Sequence, residues 1–278
     1  MDTDIAPLHV ELRLIDIHAH AKGYYRAQLL GQPGNGPRAH LAQRAVDHVL
    51  SEDSNWHVGY APTGWNNLTD HLREQGFTDD ELVQAGVSFT CRRGTLIDRF
   101  RDRIVVPIHD IAGAPVGFTA RAAPGAGPDI PKYINTPTTP LFRKSANLLG
   151  LYEQRALLET GARPVIVEGA IDVLAVAGLN DRRLTPVSGC GTHITPGQLA
   201  LLATVATLDS DLVLAFDSDH AGRTATRRVA QAAISWHGRR ITLSLPAGID
   251  PAEAARLGDR PQGGDRPALR GHGRTTCG

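Results

Sequence analysis

Five acidic residues stand where a fold of alternating strands and helices would gather them: Glu168, Asp172, Asp217, Asp219 and Asp250. Glu168 ends the apolar run Pro164-Val-Ile-Val167, Asp217 ends Leu212-Val-Leu-Ala-Phe216, and Asp250 follows the run from Ile241 to Leu245. In open α/β sheets ligands bind outside the carboxyl ends of the strands, so position alone makes these acids candidates. Asp217 and Asp219, two apart in an extended segment, point to the same side, and two such carboxylates can converge on one hard cation while Glu168 approaches from a neighbouring strand. Asp172 lies one helical turn past Glu168. Any one of these acids alone is better explained as a turn or helix N-cap residue; five at matching strand ends favour metal.

Lysine is the second chemical clue. There are three, Lys22, Lys132 and Lys144, against twenty-six Arg, and two of them fall in a basic block. A compact ammonium makes a point contact with phosphate where a guanidinium makes a planar fork, so a Lys kept there suits a phosphate, or else an ordinary surface cation. From Arg92 to Lys144 nine basic residues face four Asp, and from Glu168 to Asp219 seven acids face Arg182 and Arg183. The overall charge of zero therefore hides a basic block followed by an acidic one. That pairing suits polyphosphate on one surface and a divalent metal on another, although charge runs are often only solvated faces.

The elements that position these residues change character along the chain. The first ninety residues read as short helices and turns, with helical spacing from Ala39 to Leu50, a turn at Ala61-Pro-Thr-Gly-Trp65 and a further helical stretch from Leu68. Their aromatic residues are expected to pack. Ile104 to Arg121 reads as an antiparallel hairpin turning at Ala112-Gly113. After Gly161 strands and helices alternate: strands 164–167, 184–188, 212–216 and 241–245, with helices 171–177, 196–202 and 222–235 between them. This order predicts βαβ units and a mainly parallel sheet flanked by helices, an α/β class preceded by a mixed α+β subdomain. From Pro261 Gly, Pro and Arg dominate without apolar periodicity, which reads as a disordered tail.

Length and composition agree. At ~150 residues per domain, 278 residues make about two domains, and 41% hydrophobic with 21% charged residues is globular. Apolar runs fall short of the ~20 residues of a membrane span and no secretory signal opens the chain, so a cytoplasmic protein without membrane contact is expected. Cys91, Cys190 and Cys277 form no close pair, which excludes a zinc ribbon and a disulfide framework. No Lys follows a Gly as in the Walker A loop, and no Gly-x-Gly-x-x-Gly follows a strand. Asp16-Ile-His18-Ala-His20 has the His-x-His spacing of metal-dependent amidohydrolases, but the α/β pattern such a barrel needs starts 140 residues later.

Val167-Glu168-Gly-Ala-Ile-Asp172-Val173 and Ala215-Phe-Asp217-Ser-Asp219-His-Ala-Gly222-Arg223 together resemble the Toprim domain, in which a Glu and an Asp-x-Asp pair hold divalent metal. Upstream, Phe100-Arg101-Asp-Arg103-Ile-Val-Val-Pro107-Ile108, Gly117-Phe118 through Arg121, Pro131-Lys132-Tyr-Ile-Asn135-Thr-Pro137, Leu141-Phe-Arg-Lys144 and Leu149-Gly-Leu-Tyr-Glu153 are similar to the RNA polymerase core of bacterial DnaG-type primases. Tyr60-Ala-Pro-Thr-Gly-Trp65 also has a counterpart there, so the resemblance spans residues 16–256.

The resemblance implies template-directed synthesis of short RNA primers on single-stranded DNA from ribonucleoside triphosphates. On this chain it assigns catalysis to Glu168, Asp217 and Asp219, and magnesium or manganese, not zinc, to those three with Asp172 and Asp250. It places Arg101, Arg103, Arg121, Lys132, Asn135 and Lys144 in a basic groove for template and nucleotide. The implied division is 1–160 for the primase-core subdomain, 161–258 for the Toprim domain and 259–278 for the tail. Four departures stand out. Ala252 replaces the second acid of the Asp-Pro-Asp after the fourth strand, and Ala170 an aromatic after Glu-Gly. Against the family pattern, the reading expects no zinc-binding template-recognition domain, no helical end of the core and no helicase-binding domain, and therefore no docking domain for the family's replicative helicase. Two other readings stay open: a catalytically weak relic that binds single-stranded DNA, and a Toprim nuclease using the same carboxylates.

Overall fold

The computed structural model of the chain describes residues 5–123, 125–191, 194–217, 220–243, 251 and 253–254. Asp219, Asp250, Ala252 and the expected tail lie outside the described residues. Two compact units emerge, one of Met1–Leu41 with Val49–Asn147, the other of Ala42–His48 with Leu148–Gly278.

The first unit opens with α1 (Ile5–Leu30), a 26-residue helix where only short helices were expected. Leu14, Ile17, Ala21, Tyr25 and Leu29 recur every three or four residues and are all buried, which is the stripe a helix needs to pack on a sheet. His18 lies in that stripe, and its polarity disguises the periodicity in the sequence. The helix stops at Gly31, and Arg38 donates to the carbonyls of Leu29 and Gly31, occupying acceptors the helix leaves open. Arg26 donates to four carbonyls, of Val49, Leu50, Ser51 and Val58, and so ties the following loop to α1. Next, α2 (Asn35–Gln43) ends earlier than the stretch to Leu50 suggests, because Ala45 takes a positive φ of 55° that no helix continues through.

The rest of the unit comprises β1 (Gly59–Ala61), α3 (Asn67–Glu74), α4 (Asp79–Gln84), the paired β2 (Ser88–Thr90) and β3 (Leu96–Asp98), then β4 (Arg103–His109), β5 (Pro115–Ala122) and β6 (Tyr133–Asn135). An antiparallel sheet runs in the order β1-β4-β5-β6, which contains the expected hairpin. Tyr25 of α1 meets Phe100 and Phe118 edge to face, with ring centroids 5.6–6.4 Å apart among the three. Each such fully buried ring contributes roughly 1.5–3 kcal/mol.

The second unit carries α5 (Arg155–Glu159), β7 (Arg163–Ile166), α6 (Ala170–Gly178), β8 (Leu184–Val187), α7 (Pro196–Ala203), β9 (Leu212–Leu214), α8 (His220–Ala232) and β10 (Arg240–Thr242). The strands form one parallel sheet in the order β10-β9-β7-β8, so the expected strand and helix alternation is borne out. β9 is buried throughout and β7 from its second residue, as strands covered on both faces must be, whereas β10 at the edge is largely exposed. α7 begins with a full capping box, in which Thr195 and Gln198 satisfy each other's backbone N–H with Pro196 at the first helical position. The amino ends of the strands are closed by Asp211, which accepts two side-chain bonds from Arg239 at 3.0 and 2.8 Å and lies 3.6 Å from Arg163. The Arg239 guanidinium holds the Asp211 carboxyl below the usual carboxylate range.

Candidate functional site

The chain leaves β7 toward β8 on one side, and after β8 it crosses back to place β9 on the other side of β7. The gap between the carboxyl ends of β7 and β9 is therefore the topological switch point of the sheet, where open α/β folds bind ligands. Val165 pairs with Val213 and Ile166 with Leu214, and the Ala215 N–H donates to the Ile166 carbonyl at 2.9 Å. Glu168 and Asp217 thus leave adjacent strands, ~4.8 Å apart, at the same end. Each buries one carboxylate oxygen, Oε1 of Glu168 and Oδ1 of Asp217.

The surroundings fix both positions through backbone contacts. Ser188, just past β8, donates its hydroxyl to the Glu168 carbonyl at 2.8 Å. A Cβ on Gly222 would lie 2.0 Å from the Asp217 carbonyl oxygen, so only glycine lets α8 approach the strand end this closely. Asp172 accepts from the Gly169 N–H at 3.1 Å in the first turn of α6, so one of its oxygens serves as a helix cap. Among the described residues no three His, Cys, Asp or Glu side chains close around a common point. The donor set nevertheless fits a hard divalent cation: carboxylate oxygens from Glu168 and Asp217 at the strand ends suit an oxygen-seeking ion rather than a thiophilic metal.

In the first unit the basic residues gather at one end of the antiparallel sheet. Arg121 lies opposite Tyr133, and Asn135 opposite Thr119, so Arg121, Tyr133 and Asn135 share a face. Arg121 donates to the Tyr133 hydroxyl at 3.1 Å. Arg103 lies opposite Ala122, on the other face. It is buried, and one of its N–H groups goes to the Pro131 carbonyl at 2.9 Å. Burial and the neighbouring Arg101 charge lower its pKa. Arg103 therefore anchors the segment that carries Lys132, whose own carbonyl accepts from Ala122 N–H while its side chain is exposed. Lys144 is exposed further along, beyond β6. Two other cations of this unit are partly neutralised, Arg13 by Glu81 at 2.8 Å and Arg73 by Asp79 at 2.7 Å. Among the described residues no carboxylate forms an ion pair with Arg101, Arg121 or Lys132, which leaves their charge available to phosphate.

One residue here escaped the sequence reading. Trp65 was expected to pack with the other aromatics, yet it is 63% exposed, with the Arg101 guanidinium carbon 4.6 Å from its ring centroid. No local signal marks it, because the exposure follows from how the turn between β1 and α3 is held against β3, where the Asp98 N–H donates to the Trp65 carbonyl. The His-x-His pair separates as helix geometry demands, two residues being ~200° apart. His18 is fully buried against Phe118 at 5.6 Å, while the His20 side chain is 39% exposed.

A four-stranded parallel sheet with an acid beyond each of its central strands, and a glycine that lets the following helix close on the second, defines the second unit as a Toprim fold. The family models agree: DNA primase catalytic core, N-terminal domain, matches residues 24–155, and Toprim-like matches 165–255. The DNA primase of Streptomyces coelicolor is 36% identical over 247 residues, 87% of this chain and 37% of the relative. The RNA polymerase domain of Mycobacterium tuberculosis primase DnaG superposes with a TM-score of 0.76 at 32% identity, covering 87% of this chain and 78% of that one. A DnaG primase catalytic domain solved bound to ssDNA gives 0.76 at 29%, with 90% and 78% covered. The chain belongs to the DnaG-type DNA primase family, whose catalytic core it carries. It spans less than half the length of the curated relatives it matches. No described helix is long and apolar enough to cross a membrane.

Proposed function

We propose that the chain synthesises short RNA primers on single-stranded DNA from ribonucleoside triphosphates by metal-assisted nucleotidyl transfer. The observation that carries this reading is the placement of Glu168 and Asp217 on the two strands that flank the switch point of the sheet. Glu168, Asp217 and Asp219 are its catalytic acids, and with Asp172 and Asp250 they hold magnesium or manganese. A divalent ion held there lowers the pKa of the attacking 3′-hydroxyl and offsets charge on the leaving pyrophosphate. Because Glu168 and Asp217 hang from strand ends fixed by ladder hydrogen bonds, they keep their spacing without a reorganisation step.

Arg101, Arg103, Arg121, Lys132, Asn135 and Lys144 take the template and the triphosphate, Arg103 by holding the Lys132 segment in place. Trp65 offers the flat apolar face on which an unstacked base can rest. On this reading residues 1–160 carry the template, 161–258 the chemistry, and the protein works in the cytoplasm. The relatives are DNA primases, which favours synthesis over cleavage and over binding alone.

The test is primer synthesis from labelled ribonucleotides on single-stranded template, with magnesium or manganese added or withheld. Short RNA that appears only with metal and template supports the reading. A folded protein that makes none under either metal, or that cleaves the template instead, overturns it.

A further inference from the structure

Asp98, the last residue of β3, is 3% exposed, yet its side chain does no work within its own strand. Oδ1 accepts from the Thr69 N–H at 2.8 Å and the Thr69 hydroxyl at 2.7 Å, and Oδ2 accepts from the Leu68 N–H at 2.9 Å. These are N–H groups of the first turn of α3, which a helix leaves open. The residue expected to cap them, Asn66, makes no side-chain cap bond and bonds to Asp70 instead. A carboxylate from 29 and 30 residues downstream therefore caps the helix, its charge favourably placed at the positive end of the dipole. The Thr69 hydroxyl also meets the Ser88 hydroxyl at 2.8 Å, which ties the cap to β2.

The backbone of the same residue reaches the exposed pair. The Asp98 N–H donates to the Trp65 carbonyl at 2.7 Å, and the Asp98 carbonyl accepts from Nη1 of Arg101. Trp65 and Arg101, in ring contact with each other, are thus each fixed to one end of Asp98, while its side chain fixes the helix that starts two residues after Trp65. A cap alone would need none of these backbone contacts. With the Trp65 backbone tied to Asp98 and one face of its ring covered by Arg101, the exposed indole is restricted, and a restricted aromatic face loses less entropy when a base stacks on it.

We infer that Asp98 is a positioning residue for template binding, which locks the turn before α3 so that Trp65 and Arg101 present one stacking platform to an unstacked base. This rests on the template reading proposed above. Base stacking on an aromatic side chain is worth ~1–3 kcal/mol per base, so loss of the platform corresponds to about tenfold in affinity.

The experiment measures binding of an oligo(dT) strand and the quenching of Trp65 fluorescence it causes, with Trp65→Phe as the spectral blank for Trp56 and Trp236. Expected is that Asp98→Asn stays folded, binds about tenfold more weakly, loses most of the quenching, and adds nothing further when combined with Trp65→Ala. Should Asp98→Asn fail to fold, Thr69→Val, which removes one donor to the carboxylate and keeps the charge, is read in the same way with a smaller loss. Full quenching and wild-type affinity in folded Asp98→Asn, or losses from Asp98→Asn and Trp65→Ala that simply add, would overturn the inference. Wild-type affinity in Trp65→Ala by itself would remove the template platform, and the inference with it.

Discussion

The two units place their working residues by different means. In the second, Glu168 and Asp217 stand two and three residues beyond strands that pair in register, so the sheet positions them through its backbone. In the first, Trp65, Arg101 and Lys132 depend on buried polar side chains that reach far along the chain: Asp98 to α3 and Arg103 to Pro131. Burying such groups is favourable only while every partner is present. The parallel sheet should therefore tolerate loss of a working side chain without unfolding, whereas the antiparallel unit should couple binding to stability.

The sharpest way to break that contrast is to neutralise an acid at the switch point. Asp217→Asn keeps the shape and the backbone contacts but removes the charge, so primer synthesis should fall on the order of 10³-fold while the thermal midpoint stays put. Asp219→Asn should behave alike. Wild-type synthesis rates in both variants would remove the metal assignment.

The counterpart in the first unit is a stability effect. Burial holds the His18 imidazole neutral and lowers its pKa to about 4 from the ordinary 6.5. Below pH 6.5 the unfolded chain binds a proton at this residue that the native state refuses, so stability falls as pH drops from 6.5 toward 4. Integrated over that window the loss is up to about 3 kcal/mol. Urea unfolding at several pH values should show it, and His18→Leu should flatten the difference. Equal acid sensitivity in the two proteins would show that His18 is not held neutral.

An intermediate case sharpens the comparison within the parallel sheet. Gly222→Ala would drive a Cβ into the Asp217 carbonyl, and α8 must shift to relieve it, at a cost of about 1–3 kcal/mol. Synthesis should fall with stability here, unlike in Asp217→Asn, because the backbone that aims the acid moves. A variant with a normal thermal midpoint and normal rates would mean that the helix accommodates the methyl group elsewhere.

How far each site could be read from sequence follows the same division. Strands 164–167 and 212–216 announce themselves as short apolar runs ended by Glu168 and Asp217, 184–188 as a short stretch ended by Gly189, and an acid after such a run already has its position. Nothing local announces α1, because His18 interrupts its apolar stripe and Gly23 weakens its propensity. Nor does spacing reveal that Asp98 caps a helix begun some thirty residues earlier, or that Trp65 stays outside. Those facts depend on β2 and β3 pairing beside α3, a tertiary event. Arg101 and Arg103 look equivalent in Arg-Asp-Arg, yet one stacks on an exposed indole and the other is buried with a carbonyl partner.

That last distinction yields the smallest and most specific expectation. Lys132 and Arg103 meet at one segment, with Lys132 extending to solvent and Arg103 binding the Pro131 carbonyl beneath it. If Lys132 contacts a template phosphate, Lys132→Ala should weaken single-strand binding only a few-fold and reduce the slope of log affinity against log salt by about 0.7. Arg103→Ala removes no exposed charge but frees residues 131 and 132, so it should lower the thermal midpoint, and any change in salt slope should come through the displaced Lys132. Measured together, the double variant should then show no slope change beyond that of Lys132→Ala. A slope unchanged in Lys132→Ala but reduced in Arg103→Ala would reverse the assignment, making the buried guanidinium the phosphate ligand and the lysine a surface cation.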